Sequence, residues 1–278
     1  MRIAYIDHHL RQYHSKVFTQ AFRDLIPDLE LVAYESDPSE GEDWCQEFGV
    51  QRAESVAEAL EAADGVVVMA PDNIEAHPAL LEQVLPAGLP TVVDKLLAPS
   101  IAEGNRLLDL AQQHNTPMVA ASGLSHAEEF DAVDLDPTAV EAAWVRGYGK
   151  WDHYGIHSVA VLLRMVGTQV RRVRNIGREG AALVAVDLGE RWGSLDCRVG
   201  AERQWSGGFK AVGAEEYTKV DVVNPGGFYT NMVSWFTDFL RGEAPAHDRA
   251  DLMAPVAIIE GAQLSAAQDG AWVDLDLA

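Results

Sequence analysis

The chain has 278 residues, 48% hydrophobic and 23% charged, which is the composition of a globular protein with room for two domains. Its formal charge of −22 is spread along the whole length, and nucleic acid and anionic membrane surfaces are excluded as partners because neutralising phosphate needs clustered Lys and Arg. There is no run of eighteen apolar residues, no signal-peptide layout before the opening strand pattern and no C-x-x-C spacing around Cys45 or Cys197, so the expectation is a cytoplasmic protein without a membrane span, disulfide framework or structural zinc.

The first third alternates short β-branched runs with amphipathic segments. Strands are expected over 2–6, 29–34, 65–69, 90–94 and 117–122, and helices over 15–25, 43–48, 55–62, 76–85 and 101–113, with Ser15, Ser55 and Ser100 as N-caps. Strands alternating with helices predict a Rossmann-like α/β domain over 1–122, a doubly wound parallel sheet whose ligand lies at the carboxyl ends of the strands. Beyond Ser122 the rhythm changes. Strands are expected over 140–147, 170–176, 181–188, 193–199, 208–212 and 217–223, followed by helices over 228–240 and 250–267. Residues 123–278 thus read as an α+β domain with a mostly antiparallel sheet. Arg171, Arg172 and Arg174 have the alternation of a solvent-facing strand.

A dinucleotide fold carries G-x-G-x-x-G after its first strand, yet the loop from Asp7 to His14 contains no glycine. Asp7 places a carboxylate near the pyrophosphate position, while His8, His9, Arg11 and Gln12 are the candidate donors to phosphate at the start of the following helix. Asp7, His8, His9 and His14 also invite a metal reading. No metal is assigned, because neighbouring side chains on a strand point to opposite faces and no second acidic motif completes a site. Glu35, at the end of the second strand, is the candidate for the adenosine ribose hydroxyls and favours NAD over NADP, without excluding NADP. The third and fourth strands open into Pro71, Asn73 and His77, and into Asp94 and Lys95. A lysine closing a buried strand needs a partner or a function.

Tyr148 to His157 packs Tyr148, Trp151, Asp152, His153, Tyr154 and His157 into ten residues, with Gly155 expected to turn the backbone sharply into a helix starting near His157. This order of features, with His77 six residues after Pro71, Asp94-Lys95 before Leu97-Ala98, and Gly155-x-His157 at a helix start, resembles the glucose-fructose oxidoreductase and inositol dehydrogenase family (Gfo/Idh/MocA). Lys95 matches the lysine of the family's Glu-Lys-Pro, which contacts the substrate hydroxyl and the nicotinamide. Gly155 and His157 match the family's Asp-x-Gly-x-His, with His153 where the family has aspartate and Asp152 one residue away.

The resemblance implies an NAD(P)-dependent oxidoreductase acting on a CH–OH group of a sugar, cyclitol or related polyol, and an association of like chains. His157 is then the general base and Lys95 the hydrogen-bond donor to the reacting oxygen, with Tyr154, His153 and Asp152 orienting. Ser122, His126, Tyr148 and Trp151 are the candidate substrate walls. The glycine-free loop leaves one alternative, a cofactor-free relative acting as a lyase, an epimerase or a binding subunit.

Overall fold

The computed structural model describes residues 1–38 and 43–276, which form two compact units. Unit 1 comprises Met1–Ala121 together with Met232–Asp248, and unit 2 comprises Ser122–Asn231 and Arg249–Ala278. The single boundary expected at 122/123 therefore marks the first of three crossings.

Unit 1 is built on six parallel strands: β1 (Arg2–Asp7), β2 (Glu30–Glu35), β3 (Gln51–Arg52), β4 (Gly65–Val68), β5 (Thr91–Asp94) and β6 (Met118–Ala121), in the order β3-β2-β1-β4-β5-β6. The crossover helices are α1 (Tyr13–Leu25), α2 (Trp44–Phe48), α3 (Val56–Leu60), α4 (His77–Val84) and α5 (Ile101–His114). Strands β4 and β5 are buried at every position, as befits a parallel sheet covered on both faces. The strand order reverses between β1 and β4, which puts the ends of β1, β4 and β5 at the switch point where such sheets bind ligands.

Ser55 and Ser100 cap α3 and α5 as expected. Ser15 does not cap α1. The helix begins two residues earlier, the Gln12 side chain takes the cap, and the Ser15 hydroxyl donates back to Leu10 O and Gln12 O. The core of unit 1 is completed from far along the chain. Phe236 is fully buried with its ring 6.0 Å from Phe18, Leu240 lies over Gly65, and His247 joins the β6 backbone by donating to Met118 O.

Unit 2 holds β7 (Val140–Tyr148), α6 (Trp151–Val166), β8 (Arg172–Asn175), β9 (Ala181–Asp187), β10 (Trp192–Arg198), β11 (Trp205–Ala211), β12 (Thr218–Val222), the first half of α7 (Pro225–Leu240), α8 (Arg249–Ala267) and β13 (Val273–Asp274). Its seven-stranded sheet runs β12-β11-β7-β10-β9-β8-β13 and is antiparallel except where β10 lies parallel to β7. Helices α6 and α8 cover one face. Strand β11 starts at Trp205, three residues ahead of expectation, because Ser206 and Gly207 already pair with both β7 and β12.

The expected turn at Gly155 is absent. Helix α6 already begins at Trp151, so Gly155 lies inside it. There the missing side chain makes room for the Trp151 ring, since a Cβ at 155 would sit 2.8 Å from two ring carbons. The sharp turn falls instead at Gly149, whose φ of +90° suits glycine alone.

The apolar closure of unit 1 by its returning segment yields a test. Phe236→Ala is expected to lower the unfolding free energy by about 3–5 kcal/mol in urea titrations, the cost of emptying an aromatic core position.

Candidate active site

The loop after β1 is organised by a carboxylate. Asp7 ends β1 fully buried and beside Glu35 in register. Its Oδ1 accepts from His9 N (3.1 Å) and Ala70 N (2.9 Å), and its Oδ2 accepts from Gln12 Nε2 (2.9 Å). Burial is the largest influence on this carboxyl and outweighs those hydrogen bonds, pushing it up to about 7, with nearby Asp94 adding to the rise. The other end of the Gln12 carboxamide, Oε1, accepts from His14 N (2.5 Å) and Ser15 N (3.2 Å), the first orphan donors of α1.

Glu35 is also buried. It accepts from Leu10 N (2.9 Å) and from Arg52 Nη2 (3.0 Å), so it braces the loop from the end of β2. His8 Nδ1 meets Ser36 Oγ at 2.9 Å, His9 Nδ1 meets Asp37 O at 3.0 Å, and Arg11 pairs with Glu47 at 2.7 Å. Among the described residues, no three His, Cys, Asp or Glu side chains converge as a metal cluster, and no helix is long and apolar enough to cross a membrane.

The ends of β4 and β5 carry two non-glycine residues in the left-handed region, Ala70 at φ +62° and Lys95 at φ +63°. Such positions cost roughly 1–3 kcal/mol each and persist where surrounding bonds enforce them. Lys95 N donates to Ala121 O (2.9 Å), and its Nζ reaches Pro71 O (3.0 Å) and lies 3.7 Å from Asp72 Oδ1. Asp94 is fully buried and joined to His14 Nδ1 at 2.6 Å, eighty residues away in sequence. Burial pushes the Asp94 carboxyl upward, but His14, Lys95 and His77 together outweigh it and hold the group below the usual range. The second oxygen of Asp94, Oδ1, is buried with no hydrogen-bond partner among the described residues. His77 is fully buried, with Nε2 2.5 Å from Met69 O and Nδ1 3.3 Å from Leu97 O, so it staples the two strand-end loops together. Asn73 is exposed.

In unit 2 the second turn of α6 presents His157, whose Nδ1 lies 2.8 Å from Ser122 Oγ. Three aromatic rings surround it: Tyr154 at 5.9 Å and Trp205 at 5.4 Å, with Tyr148 bridging them at 5.1 Å and 4.5 Å. Helical spacing puts His153 and Tyr154 on the same side of α6 as His157, since they precede it by four and three residues. His153 is exposed. Asp152 is not brought to His157; it accepts from Gln263 Nε2 at 3.0 Å, and Trp151 Nε1 donates to Ile259 O, so both face α8. Ser122 opens the 3₁₀ turn that packs on α6, and His126 closes that turn with its carbonyl accepting from Asn231. Two participants escaped the sequence reading. Trp205 fell in an expected loop, and the bond from His14 to Asp94 has no sequence signal at all.

Residues 10–122 match the Gfo/Idh/MocA family model, described as an oxidoreductase family with an NAD-binding Rossmann fold. Over that segment the chain is similar to this family, whose described fold binds NAD. The match begins inside the glycine-free loop, past β1. No curated protein matches the sequence. Among solved structures, GenD2 from gentamicin A biosynthesis in complex with NAD is similar at 18% identity and a TM-score of 0.80, covering 99% of this chain and 96% of its own. A probable dehydrogenase from Thermotoga maritima is similar at 14% identity and 0.79, covering 99% and 98%. A myo-inositol dehydrogenase from Corynebacterium glutamicum is similar at 13% identity and 0.78, covering 100% and 99%. Likeness at these identities establishes the shared fold.

Two features of unit 1 fit a dinucleotide. The orphaned Asp94 Oδ1 stands at a strand end with the Lys95 ammonium on the next residue. Gln12 Oε1 is an oxygen held by two N–H groups at the start of α1, where a phosphate oxygen binds in folds of this kind.

Asp7 gives a pH signature. Its carboxyl keeps a proton in the folded chain up to about pH 7, whereas unfolding restores the ordinary value of 3.8, so the folded state holds more protons between those limits and stability falls as pH rises through them. The contribution, about 2–4 kcal/mol from the size of the shift, is fully present below pH 4 and lost above pH 7. Urea titrations at pH 4.5 and pH 8 are expected to show this fall in the native chain and a shallower one in Asp7→Asn.

Proposed function

We propose that the protein interconverts a hydroxyl and a keto group on a sugar, cyclitol or related polyol in the cytoplasm, with NAD(H) preferred to NADP(H). The observation that carries this reading is the setting of His157, an imidazole held at Nδ1 by a hydroxyl inside a ring of aromatic side chains. With Nδ1 oriented by Ser122, Nε2 is the atom that takes the substrate hydroxyl proton, and an imidazole does so near neutral pH. Lys95, fixed in a strained backbone conformation, supplies an ammonium to the oxygen on which negative charge develops. Bound NAD supplies the hydride acceptor.

The faces of Tyr148, Tyr154 and Trp205 suit the apolar face of a saturated ring, and a myo-inositol dehydrogenase shares this fold. Glu35, a buried carboxylate at the end of β2, disfavours a 2′-phosphate. Like chains associate through the uncovered face of the unit 2 sheet, where Trp192 and Leu183 are exposed. Light scattering is expected to give a multiple of the chain mass.

With a polyol that reduces NAD in a panel of sugars and cyclitols, Lys95→Ala and His157→Ala are each expected to lower kcat by at least about a hundredfold, the scale of a lost acid-base group. NADH affinity of His157→Ala is expected to be unchanged. Undiminished turnover in both variants would place the chemistry elsewhere.

A further inference from the structure

Two donors at the N-terminus of α1 are already satisfied. In a helix of thirteen residues the first N–H groups are the donors that an anion would use, and here His14 N and Ser15 N both point at one oxygen, Gln12 Oε1. The carboxamide is anchored at its other end, because Gln12 Nε2 donates to the buried Asp7 carboxylate. Neighbouring loop donors are also engaged, His9 N by Asp7 and Leu10 N by Glu35. Glycine-rich loops leave this seat empty, whereas here a side chain fills it with an oxygen of the same hydrogen-bonding character as a phosphate oxygen. Next to the first turn of α1, the carboxylate that meets His14 Nδ1 keeps one buried oxygen, Asp94 Oδ1, with no hydrogen-bond partner among the described residues.

We propose that Gln12 is an intrinsic occupant of the dinucleotide phosphate seat, and that the cofactor binds by exchanging its phosphate oxygen for the Gln12 carboxamide oxygen. This rests on the NAD reading above and adds to it the residue that sets cofactor affinity. The exchange is possible because only one acceptor fits the two converging N–H groups. Each association with cofactor therefore carries the loss of the Gln12 hydrogen bonds to the helix, and swings the side chain off Asp7. A residue without this arm removes that competition, while an arm ending in an anion strengthens the competitor and adds repulsion to the incoming phosphate.

The test is a titration of the full-length protein with NADH and, separately, NADPH, followed by nicotinamide fluorescence and by calorimetry. Gln12→Gly, which costs the cap only a few tenths of a kcal/mol and also removes the donor to the buried Asp7 Oδ2, is expected to bind NADH about tenfold more tightly than the native chain, as for one net hydrogen bond no longer displaced. Gln12→Glu, which keeps an acceptor for the helix N–H groups but loses the donor to Asp7 and adds a negative charge, is expected to bind at least about tenfold more weakly. If the glycine variant fails to fold, the glutamate variant decides alone. Native binding that neither variant alters overturns the exchange and leaves the NAD reading standing. Absence of binding to native chain and both variants up to millimolar NADH and NADPH overturns that reading and the exchange together.

Discussion

A carboxylate buried at the end of a strand must be supplied with donors or a proton, since an unpaired charge in the interior costs several kcal/mol. Asp7 is supplied from three directions, and the remaining features of the strand-end region follow from how that is done. The bond from Gln12 turns the loop so that the same side chain caps α1. The bond from Ala70 N holds the end of β4 against β1 and requires Ala70 to take a left-handed backbone. On the far side of the switch point Asp94 meets His14, which ties β5 to the first turn of α1. A loop that in related folds is shaped by glycines is thus shaped here by side-chain hydrogen bonds.

The second constellation solves a different problem. An imidazole that is to move a proton needs one nitrogen fixed so that the other is correctly aimed. The residue four positions before His157 is the exposed His153, and the nearest acid in sequence, Asp152, is engaged by Gln263 on α8. The hydroxyl of Ser122 fixes the ring instead. A hydroxyl orients the ring without adding a charge of its own, and the imidazole lies in aromatic surroundings. Tyr148, Tyr154 and Trp205 supply those surroundings and come from a strand, a helix and a second strand.

The fold was readable because apolar periodicity survives local irregularity. Fully apolar runs such as Val66 to Val68 between helical patterns identify parallel strands, and the capping serines 55 and 100 locate their helices. The strand-end positions of Lys95 and Glu35 were readable for the same reason. What escaped was everything decided by contact across long sequence separations. Glycine permits a turn at 155, but inside α6 the Trp151 ring and Ile259 pack against its bare Cα. At Trp205, Gly207 and Gly208 obscure in sequence the strand pattern that the pairing with β7 and β12 imposes. Gln12 looked like a ligand donor, and only the geometry reveals it spending its carboxamide on Asp7 and α1.

The crossings of the chain between its units bear on how it is made. Phe236, Leu240 and His247 complete the core and the β6 edge of a unit whose sheet is otherwise contained in the first 121 residues. While the ribosome is still adding the intervening hundred or so residues, Phe18 and the small surface at Gly65 lack the packing that Phe236 and Leu240 give them. The sheet can pair in the order in which it is synthesised, but the packing of its unit cannot be closed until residues 232–248 have been made. Until those residues arrive, the nascent chain carries apolar surface that the folded unit buries, the kind of surface that holdase chaperones bind.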